Sequence, residues 1–163
     1  MQRGRLVWTR TAAGSREVRG QTLGIVGYGS IGSQLSVVPE ALGMRVLFHD
    51  VTDRFALGTA RRCATLDELL EQSDVVSLHV DGRPENARLI GAAELARMRP
   101  GSLLLNLNLS RGHVVDTTAL ARALRSGHPA GAALDVSGRL PERLRALPEA
   151  IRVSVLPATA VGR

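Results

Sequence analysis

The stretch LGIVGYGSIGSQL, Leu23–Leu35, decides the fold. An apolar run ends on Gly27, a turn carries Gly29 and Gly32, and a helical pattern follows. The three glycines fit G-x-G-x-x-G, in which the first makes a tight turn, the second lets the backbone approach a pyrophosphate, and the third lets helix pack on strand. The match alone is weak. Its position between a strand and a helix is what gives it meaning, because amides at a helix N-terminus, aided by the helix dipole, face bound phosphates. The next apolar run, MRVLFHD (Met44–Asp50), ends on an acid close to the spacing of about 20 residues expected of a ribose-binding carboxylate. An acid there accepts hydrogen bonds from ribose hydroxyls and repels a 2′-phosphate. The sequence therefore predicts NAD in preference to NADP, with Arg54 nearby pulling the other way.

Beyond this unit, valine-, isoleucine- and leucine-rich runs alternate with helical patterns, the signature of a parallel sheet covered on both faces. The predicted strands are Thr22–Gly27, Met44–Asp50, Asp74–Val80, Ser102–Leu109, GAALDV (131–136) and RVSVL (152–156). Helices are expected over SIGSQLSVVPEALG, ended by Gly43, over LDELLEQS with Thr65 as N-cap and Glu68 closing a capping box, over GAAELARM, and over DTTALARALRSG from Asp116 to Gly127. Pro39 falls inside the first helix, lacks the amide that would bond to Leu35, and predicts a bend. The fold class is α/β, a Rossmann-type doubly wound parallel sheet. The expected organisation is one dinucleotide-binding domain over 1–163: a leader to residue 20, a body over 21–136 and a divergent end over 137–163.

The chain has 163 residues, 44% of them hydrophobic, and a net charge of +6. All 21 basic residues are arginine. They are scattered, with no block of five and few aromatics to stack on bases, which argues against a nucleic-acid partner. No apolar run approaches the roughly 18 residues of a membrane span, so no membrane partner is expected. The single cysteine, Cys63, fits a reducing compartment such as the cytoplasm and reads as a small buried residue. Histidine and cysteine spacing suggests no metal site.

The segments VRGQTLGIVGYGSIGSQL, EALGMRVLFHD, LDELLEQSDVVSLHV, LIGAAELARMRPGSLLLN, SRGHVVD and AGAALDV, in this order, resemble the nucleotide-binding domain of the D-isomer-specific 2-hydroxyacid dehydrogenases, and among them those that oxidise 3-phosphoglycerate. The likeness runs from about Arg3 to Val136. It implies NAD as cofactor, a 2-hydroxy or 2-oxo acid as substrate, and a homodimer. It also implies site residues. The backbone amides of Ser30 and Ile31, beside the turn of Gly27, Gly29 and Gly32, meet the pyrophosphate, and Asp50 binds the adenosine ribose. His79 and Val80 lie near the cofactor, and Leu109, Ser110, Arg111 and Asp135 lie along the nicotinamide side. Arg111 is the implied catalytic residue, holding the substrate carboxylate, a role that suits a planar, permanently charged guanidinium.

The family's other two catalytic positions differ here. A glutamate expected after ALDV falls on Leu140, and the histidine it supports falls on Ala158. Family members also carry a substrate domain that these residues do not encode. LLLNLNLSRG is two residues longer than the family pattern, and Asp81 replaces a proline that usually follows HV. Of the four histidines, His49, His79, His113 and His128, only His113 follows Arg111 closely enough to be a candidate substitute base. Trp8 reads as a packing or subunit contact. The alternative expectation is a non-catalytic NAD(H)-binding module derived from such an enzyme.

Overall fold

The computed structural model describes residues 17–106, 114–135, 142–145 and 152–156. The elements are β1 (Thr22–Val26), α1 (Ser30–Ala41), β2 (Arg45–His49), β3 (Arg61–Arg62), α2 (Leu66–Gln72), β4 (Val75–Leu78), α3 (Ala92–Arg97), β5 (Leu103–Asn106), α4 (Thr117–Arg125), β6 (Gly131–Asp135), α5 (Glu142–Arg145) and β7 (Arg152–Leu156). The strands form one parallel sheet in the order β3-β2-β1-β4-β5-β6-β7. The chain thus winds outward from β1 to β3, then returns to the far side of β1 with β4. The reversal opens a crevice at the carboxyl ends of β1 and β4, where doubly wound sheets bind ligands.

Register assigns the faces. Leu23 and Ile25 of β1 pair with Val46 and Phe48 of β2. These four, with Tyr28 and Ala60, form the core under α1, against which Leu35 packs. The alternate residues, including Val26, Leu47, Val76 and Leu104, join Leu69 and Leu70 of α2, Leu95 of α3 and Leu120 and Leu124 of α4 in the larger core on the other face. Nearly unbroken burial along β1 follows from this double coverage.

Local chemistry explains the helix ends. The Thr65 hydroxyl accepts from the Glu68 amide at 3.1 Å, while the Glu68 carboxylate accepts from the Ala64 amide at 2.8 Å. The expected reciprocal cap is present, with its return bond one residue further back than the capping-box pattern. Asp116 caps α4 by accepting from the amides of Thr118 and Ala119. These bonds to the backbone, that of Ala119 first, hold its carboxyl below the usual range. Pro39 lies within α1, two residues from its end, and its carbonyl accepts from both Leu42 and Met44. The bond it cannot donate to Leu35 is therefore lost in the last turn, where helix bonds are already few.

Two short elements carry no sequence signal. β3 is only two residues long, too short to show a period of two, and is stitched to β2 partly through the Cys63 amide on the Phe48 carbonyl at 2.8 Å. α5 is a single turn whose Leu144 is 2% exposed in the larger core. Cys63 is fully buried, and burial pushes its thiol up to about 11, so it is protonated at neutral pH and serves as packing. Among the described residues no helix is long and apolar enough to cross a membrane. β5 is described to Asn106, and the two added residues of LLLNLNLSRG, which follow it, lie outside the described residues.

Candidate nucleotide site

The glycine turn is shaped by two close approaches. Gly27 has φ +89°, and a Cβ there would stand 2.8 Å from the carbonyl carbon of His79 and from the Val80 nitrogen. A Cβ on Gly32 would run into the Gly27 carbonyl oxygen and come within 3.1 Å of Ile25. Gly29 is different: nothing lies within 4 Å of its Cβ position. The second glycine thus borders open space at the mouth of the crevice. It is also the N-cap of α1, offers no side-chain acceptor, and precedes a first turn without acidic residues. The amides of Ser30 and Ile31 are left to an outside acceptor, and no carboxylate on that turn competes for the position.

Three neighbouring strands hold the turn in place. The Gly27 amide donates to the His49 carbonyl at 2.9 Å, and the His79 amide donates to the Val26 carbonyl at 2.7 Å. From the end of β2, one oxygen of Asp50 accepts from the Tyr28 amide at 2.7 Å and the other from the Thr52 amide at 2.8 Å. The carboxylate is thereby fixed beside the glycine turn, with Arg54 3.9 Å away. Carboxylate oxygens have lone pairs for further donors, so this arrangement can accept hydroxyls as well.

Tyr28, a variable position of the motif, has a structural role that the spacing does not show. Its ring is 2% exposed and stacks on Phe48 with centroids 3.8 Å apart. Its hydroxyl is 2.7 Å from Ser36 Oγ and accepts from the Leu57 amide at 3.2 Å. The ring therefore ties α1 to the segment that follows Asp50. The available signal was an aromatic inside a glycine turn in a chain whose aromatic content is only 2%.

On the other side of the crevice, His79 Nε2 is 2.8 Å from Ser77 Oγ, and burial lowers its pKa. At neutral pH the imidazole is uncharged. Asp81 is held by Arg83 at 2.6 Å and by Asn86 at 2.9 Å, and the Arg83 bond keeps its carboxyl below the usual range. Arg83 thereby offsets the negative charge that Asp81 places after HV. His49 Nδ1 lies 3.2 Å from the Cys63 carbonyl, and His128 sits in the turn after α4. Asn106, the last described residue of β5, is 4% exposed, and among the described residues its Oδ1 has no hydrogen-bond partner.

The structure brings together Gly27, Gly29, Ser30, Ile31, Gly32, Asp50, His79 and Val80. Asp135 ends β6, on the same edge of the sheet. Leu109, Ser110, Arg111, His113, Leu140, Ala158 and Trp8 lie outside the described residues. Among the described residues no cluster of three or more histidine, cysteine or acidic side chains could hold a metal ion.

Residues 1–157 match the family model for D-isomer specific 2-hydroxyacid dehydrogenase, NAD binding domain. The chain belongs to that family. It is 53% identical over 130 residues to D-3-phosphoglycerate dehydrogenase of Escherichia coli K12, covering 80% of this chain and 31% of that protein. It is 52% identical over 129 residues to D-3-phosphoglycerate dehydrogenase 1 of Saccharomyces cerevisiae, covering 79% of this chain and 27% of the yeast protein. The chain thus spans about a third or less of the relatives it matches. In three dimensions it is similar to the NAD-complexed D-isomer specific 2-hydroxyacid dehydrogenase of Lactobacillus delbrueckii ssp. bulgaricus, with TM-score 0.78, 31% identity, and 88% and 47% of the two chains covered. It is also similar to D-lactate dehydrogenase from Aquifex aeolicus, solved with NAD and lactic acid, with TM-score 0.72, 32% identity, and 86% and 47% covered.

Proposed function

We propose that this family member binds NAD(H) in the crevice beside its glycine turn and forms the nucleotide half of an enzyme that moves a hydride between NAD and a 2-hydroxy acid, most directly 3-phosphoglycerate. The observation that carries the reading is the Asp50 carboxylate, fixed by the Tyr28 and Thr52 amides next to a glycine that faces open space. The amides of Ser30 and Ile31 bind the pyrophosphate, Asp50 takes the ribose hydroxyls, and Gly27 and Gly32 keep loop and helix close enough for both. His79 and Val80 border the cofactor, and Leu109, Ser110, Arg111 and Asp135 belong to its nicotinamide side. The bound NAD supplies the ring that accepts or gives the hydride. The Arg111 guanidinium orients the substrate by its carboxylate. The names of the E. coli and yeast relatives support 3-phosphoglycerate as the substrate. The same proposal places the chain in serine biosynthesis and in the cytoplasm, a reducing compartment that the lone Cys63 suits.

A second reading is favoured by Leu140 and Ala158, which stand where the family's glutamate and histidine belong. It is an NAD(H)-binding module with little turnover, since a positioned acid/base commonly contributes about 10²- to 10⁴-fold. Calorimetry with NADH and NADPH, followed by an assay of NAD reduction by 3-phosphoglycerate, separates the readings. NADH should bind at least about tenfold tighter than NADPH, the equivalent of one lost charge-assisted hydrogen bond. Absence of NADH binding at millimolar concentration would overturn both readings. Binding without turnover would support the second.

The homodimer belongs to the same proposal. Val37, Val38 and Leu42 of α1 and its C-cap are 51–60% exposed, an apolar strip for which a subunit contact gives a reason. Sedimentation should show a dimer at micromolar concentration, and a monomer throughout would refute it.

A further inference from the structure

The opposite edge of the sheet carries a second concavity, about 480 Å³ in volume, at the amino-terminal ends of β1 and β2. One strand length, about 16 Å, separates this edge from the glycine turn. Its walls include Thr22, Arg45, Arg61, Arg99, Glu71 and Gln72. Register explains why these residues meet. Thr22 pairs with Arg45, and Leu47, two residues along β2 on the same face, pairs with Arg61. Thr22, Arg45 and Arg61 therefore project from one face of the sheet, the face on which α2 packs. The two arginine Cα positions are roughly 8 Å apart, within reach of a shared ligand for side chains of that length.

The charges in this concavity do not cancel. The Asp74 carboxylate is taken up by Arg99 at 2.9 Å and by the Thr22 amide at 2.9 Å. Glu71, in the last turn of α2, is directed to Arg97 at 3.9 Å. Among the described residues neither Arg45 nor Arg61 has an acidic partner, although they are neighbours on one face. A second observation points the same way. Thr22 is 2% exposed, yet among the described residues its Oγ1 has no hydrogen-bond partner. Buried hydroxyls are normally satisfied, so an orphan on the wall of a cationic cavity is an unfilled place for a donor or acceptor.

We propose that this concavity is a second binding site, in which Arg45 and Arg61 clamp a small multivalent oxyanion, a phosphate ester or a polycarboxylate. Guanidinium forks match both groups by paired hydrogen bonds, whereas a single monovalent ion would satisfy only one fork. The site shares β1 and β2 with the nucleotide crevice but none of its ligand-facing residues.

The test is an amide-resolved NMR titration with inorganic pyrophosphate and, separately, citrate. Saturable shifts are expected at Thr22, Arg45 and Arg61. Arg45→Gln and Arg61→Gln, each at an exposed side chain, should weaken that binding by about tenfold or more, the equivalent of one charge-assisted hydrogen bond. Pyrophosphate can also occupy the glycine turn, and shifts at Gly27 to Ile31 report that event separately and should persist in both variants. Saturation by pyrophosphate alone assigns the site to phosphate esters, by citrate alone to polycarboxylates, and by both to the shared chemistry. The proposal is overturned if the edge amides show no saturable shift with either probe, or if both variants bind as tightly as the parent chain.

Discussion

Gly27→Ala is expected to lower the stability of the chain by about 2–5 kcal/mol. A left-handed backbone costs an L-residue roughly 1–2 kcal/mol, and forcing a methyl into packed surroundings costs about 1–3 kcal/mol. Both apply, since φ is +89° and the added carbon would stand 2.8 Å from the backbone of His79 and Val80. The obstacle is main chain just beyond the end of β4, not the flexible end of a side chain, so relaxation would have to move that segment away from the end of β1. Small domains have only about 5–15 kcal/mol in hand. The loss should appear as a clear fall in the urea midpoint. Gly29→Ala provides the contrast. Its φ of −76° suits any residue, and its Cβ position is open, so stability should change by less than about 0.5 kcal/mol. NADH affinity should nevertheless fall, because the methyl occupies the space in front of the α1 amides. Equal midpoints for Gly27→Ala and the parent chain would refute the steric account.

Asp50→Ala is expected to reduce NADH affinity by about 10- to 100-fold. Hydrogen bonds to a charged group contribute about 1.5–3 kcal/mol, and each 1.4 kcal/mol is tenfold. The variant also removes the acceptor of the Tyr28 amide, loosening the turn that must stay fixed around the pyrophosphate. Asp50→Asn separates these two effects. It retains an acceptor for Tyr28 but not the negative charge, so it should keep the turn in place and narrow the preference for NADH over NADPH. Arg54, 3.9 Å from the carboxylate, would then be free to meet a 2′-phosphate. Calorimetry with both cofactors on the two variants checks the prediction. Unchanged NADH affinity in Asp50→Ala would remove Asp50 from the site.

Much of the site was legible because its signals are local. The glycine spacing and the Thr65 and Asp116 caps each depend on residues close in sequence, and each meets its neighbours as the pattern implies. Of the expected strand over Ser102–Leu109, Leu103–Asn106 forms β5, and 107–109 lie outside the described residues. Tyr28 carried no such local signal. A single aromatic at a variable motif position has no period, and only Phe48, on the next strand, gives it a place.

By itself, the sequence determined the class of the fold, the winding through successive strand–helix units and the turn on which a dinucleotide can rest. These depend on hydrophobic period, turn chemistry and capping, which act over a few residues. Only the tertiary structure decided that Asp50 holds the Tyr28 amide, that Gly27 lies against the backbone of His79 and Val80 just beyond β4, that Arg83 compensates Asp81, and that Arg45 and Arg61 share one face at the far edge of the sheet. Each of these depends on which strand pairs with which and in what register. Parallel pairing joins residues tens of positions apart, so no local pattern encodes it. It is selected only when both faces of the sheet are buried together.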